Sequence, residues 1–197
     1  MGRGLTLILG GVRSGKSDLA QKLALDAGGE VLFLATAEPR DTEMQSRIAA
    51  HQAKRPAGWR TVEAPHHVAE ALERSVAGPA TVVIDCVTLW VANLVEAATP
   101  AGRDEPDAAA AEALLSTELG GFHDWYRGSQ ARVILVTNEV GMGLVPPYPS
   151  GRLYRDLLGL ANQRLATIAT QVYVTFAGIP VDVKALAARP WGDAGVT

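Results

Sequence analysis

The sequence predicts an α/β fold with a mostly parallel sheet, and three observations carry that prediction. Short apolar, β-branched runs recur along the 197 residues, helical stretches separate them, and a glycine-rich loop stands between the first run and the first helix. The runs are "LTLIL" (5–9), "VLFLAT" (31–36), "ATVVID" (80–85), "RVILVT" (132–137) and "QVYVTF" (171–176). None alternates apolar with polar residues, which suits strands covered on both faces.

The helical stretches follow in order: "KSDLAQKLALDA" (16–27), "DTEMQSRIAAHQAKR" (41–55), "HVAEALERSV" (67–76), residues 108–128 and residues 151–170. In the second, Met44, Ile48 and Ala49 form the side suited to packing on the sheet. "EAATPAGRDEPDAAAA" (96–111) and "GLVPPYPSG" (143–151) read as exposed loops rather than linkers, because the α/β pattern resumes after each. The tail 188–197 has no pattern and reads as frayed. The chain is therefore expected to be a single domain, residues 1–197.

Composition excludes several classes. Hydrophobic residues make up 48% and charged residues 20%, a folded and soluble balance. A net charge of −3 argues against a nucleic-acid or anionic-membrane surface. The single cysteine, Cys86, forms no internal disulfide and fits a reducing cytoplasm. The apolar run near the N-terminus leads straight into the glycine loop, so it reads as a strand and not as a signal or membrane span.

"LILGGVRSGKSDLA" has the spacing G-x-x-x-x-G-K-[ST] between a strand and a helix. Glycine lets such a loop curl so that its N–H groups face phosphate oxygens, and the helix adds its positive end. The lysine, Lys16, reaches the terminal phosphates, and the Ser17 hydroxyl ligates Mg²⁺. Chance would produce the spacing in about one per cent of chains this long. A partner acid is expected at a strand end, holding Mg²⁺ through water. Asp85 ranks first, and Glu139, beside Asn138, is the second candidate.

His51 lies in "RIAAHQAKRP", on one helical face with Glu43 and Arg47. The plain reading is a solvated face pointing away from the core, with an ion pair worth little. The other reading is chemical. The helix follows "VLFLAT", Lys54 and Arg55 suit phosphate contact, and a neutral imidazole can attack phosphorus. His66, His67 and His123 stand beside no motif, and none forms zinc-ligand spacing with Cys86.

The stretches "GGVRSGKSDLA", "ATAEPRDTEMQSRIAAHQAKRPAGWRTVEAP", "VVIDCVTLWVANL" and "VILVTNEVGMGLVPPYPSGRLYRDLLGLANQRLA" resemble the bifunctional adenosylcobinamide kinase / adenosylcobinamide-phosphate guanylyltransferases of cobalamin biosynthesis. The glycine loop alone is unspecific. "RI-x-x-H-x-x-x-RP-x-x-W" and "TNEVG-x-G-x-VP" are much more specific, and the likeness covers nearly the whole chain. It implies a RecA-like P-loop fold, a homotrimer, and two reactions. ATP or GTP phosphorylates the aminopropanol arm of adenosylcobinamide. GTP then places GMP on a histidine, here His51, from which it passes to adenosylcobinamide phosphate to give adenosylcobinamide-GDP.

The same resemblance implies a nucleotide site. Its phosphate cradle is Gly10, Gly11, Val12, Arg13, Ser14, Gly15, Lys16 and Ser17. Ala35, Thr36 and Ala37 line it, and Gln52, Ala53, Lys54, Arg55, Glu63 and Asp85 complete it. Ser17 and Asp85 are the Mg²⁺ residues. Asp182 in "GIPVDVK" departs from the family pattern, as does loop 96–111. Two competing readings are a generic P-loop small-molecule kinase, with His51 a bystander, and a non-catalytic nucleotide switch.

Overall fold

The computed structural model describes residues 3–53 and 55–187. Lys54 and the tail 188–197 lie outside the described residues, and so do the side chains of Glu43 and Arg47. The elements run β1 (Gly4–Gly10), α1 (Lys16–Ala27), β2 (Val31–Ala35), α2 (Thr42–Ala53), β3 (Arg60–Glu63), α3 (Val68–Ser75) and β4 (Thr81–Asp85). After these come α4 (Val87–Ala97), α5 (Ala108–Gly128), β5 (Arg132–Val136), α6 (Pro149–Ile168), β6 (Gln171–Phe176), β7 (Ile179–Asp182) and α7 (Val183–Leu186).

One seven-stranded sheet has the order β3-β2-β4-β5-β1-β6-β7. Every pairing is parallel except that of β7, which returns antiparallel to β6. The expected α/β architecture is present, with the glycine loop joining β1 to α1. All five apolar runs are strands.

Four elements were not legible, the four-residue α7 among them. Helix α4 begins two residues after β4 ends and buries Val87, Trp90, Val91, Leu94 and Val95. A helix this apolar has little polar face, so no 3.6-residue period marks it off from the strand before it. Strands β3 and β7 have four residues each and lie at the two sheet edges. The first is mostly exposed, and the second contains Pro180, which only an edge position tolerates.

The strands divide their side chains between two layers. Leu5, Leu7, Leu32, Leu34, Val82 and Ile84 join the larger cluster, packed with Trp90, Phe122, Leu157 and Leu158 of the helices. Ile8, Phe33, Val83 and Ile134 face the other way, against Ala20 and Ala24 of α1. Small residues on α1 let it sit close to the sheet. The Glu118 carboxylate of α5 ties the larger layer together. It accepts the Trp90 indole N–H at 3.1 Å and the backbone N–H groups of His67 (2.9 Å) and Val68 (3.3 Å) at the start of α3.

Helix α2 is built differently. Met44 and Ile48 are half-buried, the other described side chains are exposed, and Ala49 is among the exposed rather than on the sheet.

Candidate functional site

Parallel pairing brings the carboxyl ends of the strands together. One rung aligns Glu63, Ala35, Asp85 and Val136 across β3, β2, β4 and β5. Val136 also pairs with Ile8 of β1, two residues before Gly10. The glycine loop therefore rises from the same edge as both candidate acids.

The loop is braced from behind. Gly10 has φ of 154°, and a Cβ there would lie 2.5 Å from Thr175 Oγ1 and 2.6 Å from Ser14 Oγ. Gly15, with φ of 94°, would bring a Cβ to 3.0 Å from Gly178 Cα. Only glycine fits these positions. The Ser14 and Thr175 hydroxyls share a hydrogen bond of 2.7 Å, and Gly178 N–H donates to Ser14 O at 2.9 Å. The β6–β7 turn thus holds the loop's shape, a support that no motif announced. Val12 and Arg13 project outward, and the Lys16 ammonium donates to Gly11 O at 2.6 Å. Burial lowers the Lys16 pKa from the ordinary lysine value, while the negative charge of Asp85 opposes that shift.

Asp85 stands at the centre. Ser17 Oγ donates to its Oδ2 at 3.4 Å, and His51 Nδ1 lies 3.8 Å from that same oxygen. Burial raises the Asp85 carboxyl above the usual range; His51, the Ser17 hydrogen bond, Arg55 and Lys16 pull it back. A hydroxyl beside a desolvated carboxylate is an all-oxygen donor pair that suits Mg²⁺ and would gain from a cation. The residue after Asp85 is bracketed by Thr36, whose hydroxyl accepts Cys86 N–H at 2.9 Å and donates to Cys86 O at 2.7 Å. Thr36 is fully buried, so its hydroxyl serves the scaffold. The Cys86 thiol is pushed up to about 12 by burial and stays neutral. Glu139 is tied to the start of the loop and to its own turn, its N–H donating to Gly10 O at 3.3 Å and its carboxylate accepting Gly141 N–H at 2.8 Å.

His51 does not point wholly away from the core. Its side chain is 55% exposed, and its Nδ1 edge faces Asp85. A cavity of about 70 Å³ lies beneath it, lined by Ser17, Phe33, Arg55, Trp59 and Asp85 among others. The Arg55 guanidinium stacks 3.6 Å from the Phe33 ring centre, and Phe33 stacks on Trp59 at 6.3 Å. Arg55 donates to Thr61 Oγ1 at 3.3 Å, but its buried Nε has no hydrogen-bond partner. Burial lowers the Arg55 pKa against the pull of Asp85 and Glu63. A charged fork held on an aromatic shelf with a donor unspent is suited to an anion. Glu63 closes the edge and is exposed, as are Gln52 and Ala53, while Ala35 is buried and Ala37 half-buried.

The sequence missed Phe33, Trp59, Thr175 and Gly178 as site residues. Trp59 had a signal, since it ends the histidine motif. The others sit in ordinary strand and turn patterns.

A family model described as cobinamide kinase / cobinamide phosphate guanyltransferase matches residues 6–183. The "bifunctional adenosylcobalamin biosynthesis protein CobP" of Pseudomonas aeruginosa is 42% identical over 178 residues, 90% of this chain and 96% of that one. The CobU proteins of Escherichia coli and Salmonella typhimurium, with the same descriptive name, are each 39% identical over 91% of this chain and 99% of theirs. Among solved structures, the RadB recombinase is similar (TM-score 0.47, 17% identity, 87% of this chain and 73% of that one). A solved ATPase domain is similar as well (TM-score 0.46, 13% identity, 87% and 69%).

Proposed function

The chain belongs to the cobinamide kinase / cobinamide phosphate guanyltransferase family, and from that premise we propose how its residues divide the two activities. It is a kinase and guanylyltransferase of adenosylcobalamin biosynthesis, acting on adenosylcobinamide and then on its phosphate.

In the kinase step, the loop from Gly10 to Ser17 holds the phosphates of ATP or GTP. Lys16 neutralises charge on the transferred group. Ser17 and Asp85 are the residues that would hold Mg²⁺, which would supply charge neutralisation to the phosphates. Ala37, Gln52, Ala53, Lys54 and Glu63 complete the nucleotide site, with the buried Ala35 and Thr36 acting as scaffold behind them.

In the guanylyl step, His51 attacks the α-phosphorus of GTP. A P–N bond forms, the bond to the β-phosphate oxygen breaks, and pyrophosphate leaves with the electron pair. A phosphate oxygen of adenosylcobinamide phosphate then attacks, and the P–N pair returns to the ring. Arg55 is the group that faces the leaving pyrophosphate, a role supported by its unpartnered Nε.

The observation that carries this reading is the shared oxygen: Asp85 Oδ2 lies 3.4 Å from Ser17 of the phosphate loop and 3.8 Å from His51. The histidine is thus within reach of whatever the loop holds. Its test is to incubate the protein with α-³²P-GTP and Mg²⁺, denature it, and look for acid-labile, base-stable label. Label on the wild type and none on His51→Ala is expected. An unlabelled wild type, or equal label on both, sinks the histidine assignment and leaves a plain kinase or a nucleotide switch.

The single domain acts as a homotrimer in the cytoplasm, with no nucleic-acid or membrane partner. Among the described residues no helix is long and apolar enough to cross a membrane. Light scattering of the purified chain should give three times the 20.7 kDa protomer mass.

A further inference from the structure

We propose that Asp85 is the positioning residue of the guanylyl step: it holds the Nδ1–H of His51, so that the guanylyl group is carried on Nε2. The inference rests on the reading of His51 as nucleophile and adds which nitrogen reacts and why.

The geometry favours one edge of the ring. Nδ1 faces Asp85 Oδ2 at 3.8 Å, within ion-pair reach but longer than a hydrogen bond. Catalytic hydrogen bonds are often long before substrate binds, and α2 carries few packing restraints against closing by about 1 Å. The two partners differ in rigidity. Asp85 is 13% exposed at its side chain, and its backbone is fixed in the sheet rung with Ala35 and Val136. His51 is 55% exposed on a helix that packs lightly, so its ring orientation depends on a partner. Lys16 and Arg55, which also surround Asp85, are cations and accept nothing from an imidazole N–H.

The chemistry points the same way. A triphosphate approaching Nδ1 would have to enter between the ring and the Asp85 carboxylate 3.8 Å away, whereas Nε2 lies on the opposite edge of the ring. With Nδ1 protonated throughout, attack by the Nε2 lone pair needs no proton transfer. The ring becomes an imidazolium carrying Nδ1–H and Nε2–P, and the carboxylate beside it balances the new positive charge. When the acceptor phosphate takes the guanylyl group, the P–N electron pair returns to Nε2 and the neutral ring with Nδ1–H is restored. This is the role a carboxylate plays toward a ligating or catalytic imidazole elsewhere: it selects the tautomer and fixes the ring.

The test uses the intact chain with ¹⁵N-labelled histidine. Long-range ¹H–¹⁵N spectra at a pH where imidazole is neutral report each tautomer, and His51 is identified by the signal lost in His51→Gln. The wild type should show His51 protonated on Nδ1. Asp85→Asn should move it toward the Nε2–H form that free histidine prefers. The wild type is then guanylylated, stripped of its nucleoside by periodate and alkaline elimination, hydrolysed, and compared with the two phosphohistidine isomers. Only the Nε2 isomer is expected. An Nδ1 linkage, an Nε2–H tautomer in the wild type, or an unchanged tautomer in Asp85→Asn overturns the role of Asp85. A wild type with the Nδ1–H tautomer that takes no label overturns the nucleophile assignment itself.

Discussion

The glycine loop and helix α2 face each other across Asp85, and they are built in opposite ways. Behind the loop stands a wall: Thr175 and Gly178 hold Ser14 by its hydroxyl and its carbonyl, and Gly10 has no room for even one more carbon. Helix α2 has Met44 and Ile48 half-buried and the rest of its described surface in solvent. The difference follows from what each must do. A phosphate cradle works by presenting N–H groups already aimed, so flexibility there would have to be removed at each binding event. On the proposed reading, in which His51 takes GMP from one substrate and hands it to another, α2 serves two geometries in turn. Few buried contacts also mean low local stability, which is where moving elements are drawn from.

The comparison can be broken most sharply at its two ends. Substituting His51 with Ala should lower guanylyl transfer by about 10⁴-fold or more. It should shift the unfolding free energy by no more than about 0.5 kcal/mol, since the side chain is exposed. A guanylyl assay with a denaturation curve checks both, and a destabilised His51→Ala would show that α2 is packed after all. Lys16→Ala should cost about 10²–10³-fold in both activities, as losing one preorganised donor to developing charge does. Normal kinase turnover in that variant would remove the loop from the mechanism.

Smaller effects sharpen the contrast. Gly10→Ala forces a Cβ against two hydroxyls and should destabilise the fold by about 2–4 kcal/mol, read from the midpoint in urea at unchanged slope. Thr175→Val removes one partner of the Ser14 hydrogen bond and should cost about 1–2 kcal/mol while loosening nucleotide binding. Ala49→Ser, on the exposed side of α2, should change stability by less than about 0.5 kcal/mol. If it costs as much as Thr175→Val, the two regions are not built differently.

The sequence was most legible where function and local pattern coincide. Gly10 to Ser17 could be read because the loop's chemistry is carried by consecutive backbone atoms, so spacing alone encodes it. Asp85 was readable as an acid at a strand end. Helix α4 was hidden by its own burial, for an element covered nearly all round has no polar face to set a period. His51 could be placed on a helix but not aimed. Its face was set out from Glu43 and Arg47, whereas the neighbour that orients it is 34 positions away in the chain. Phe33, Trp59 and Thr175 were invisible as site residues for the same reason, since each acts on a residue supplied by another element.

By itself, then, the sequence determined the α/β alternation, the strand identities, the phosphate loop and, through its motifs, the family. These depend on periodicity and on contiguous residues. Tertiary structure alone decided that β5 stands between the strands of the loop and of Asp85, that the β6–β7 turn braces the loop, and that one carboxylate oxygen lies beside both Ser17 and His51. Such meetings arise from strand register and helix placement. Both are set by burial summed over the whole core, and no local stretch of residues encodes that sum.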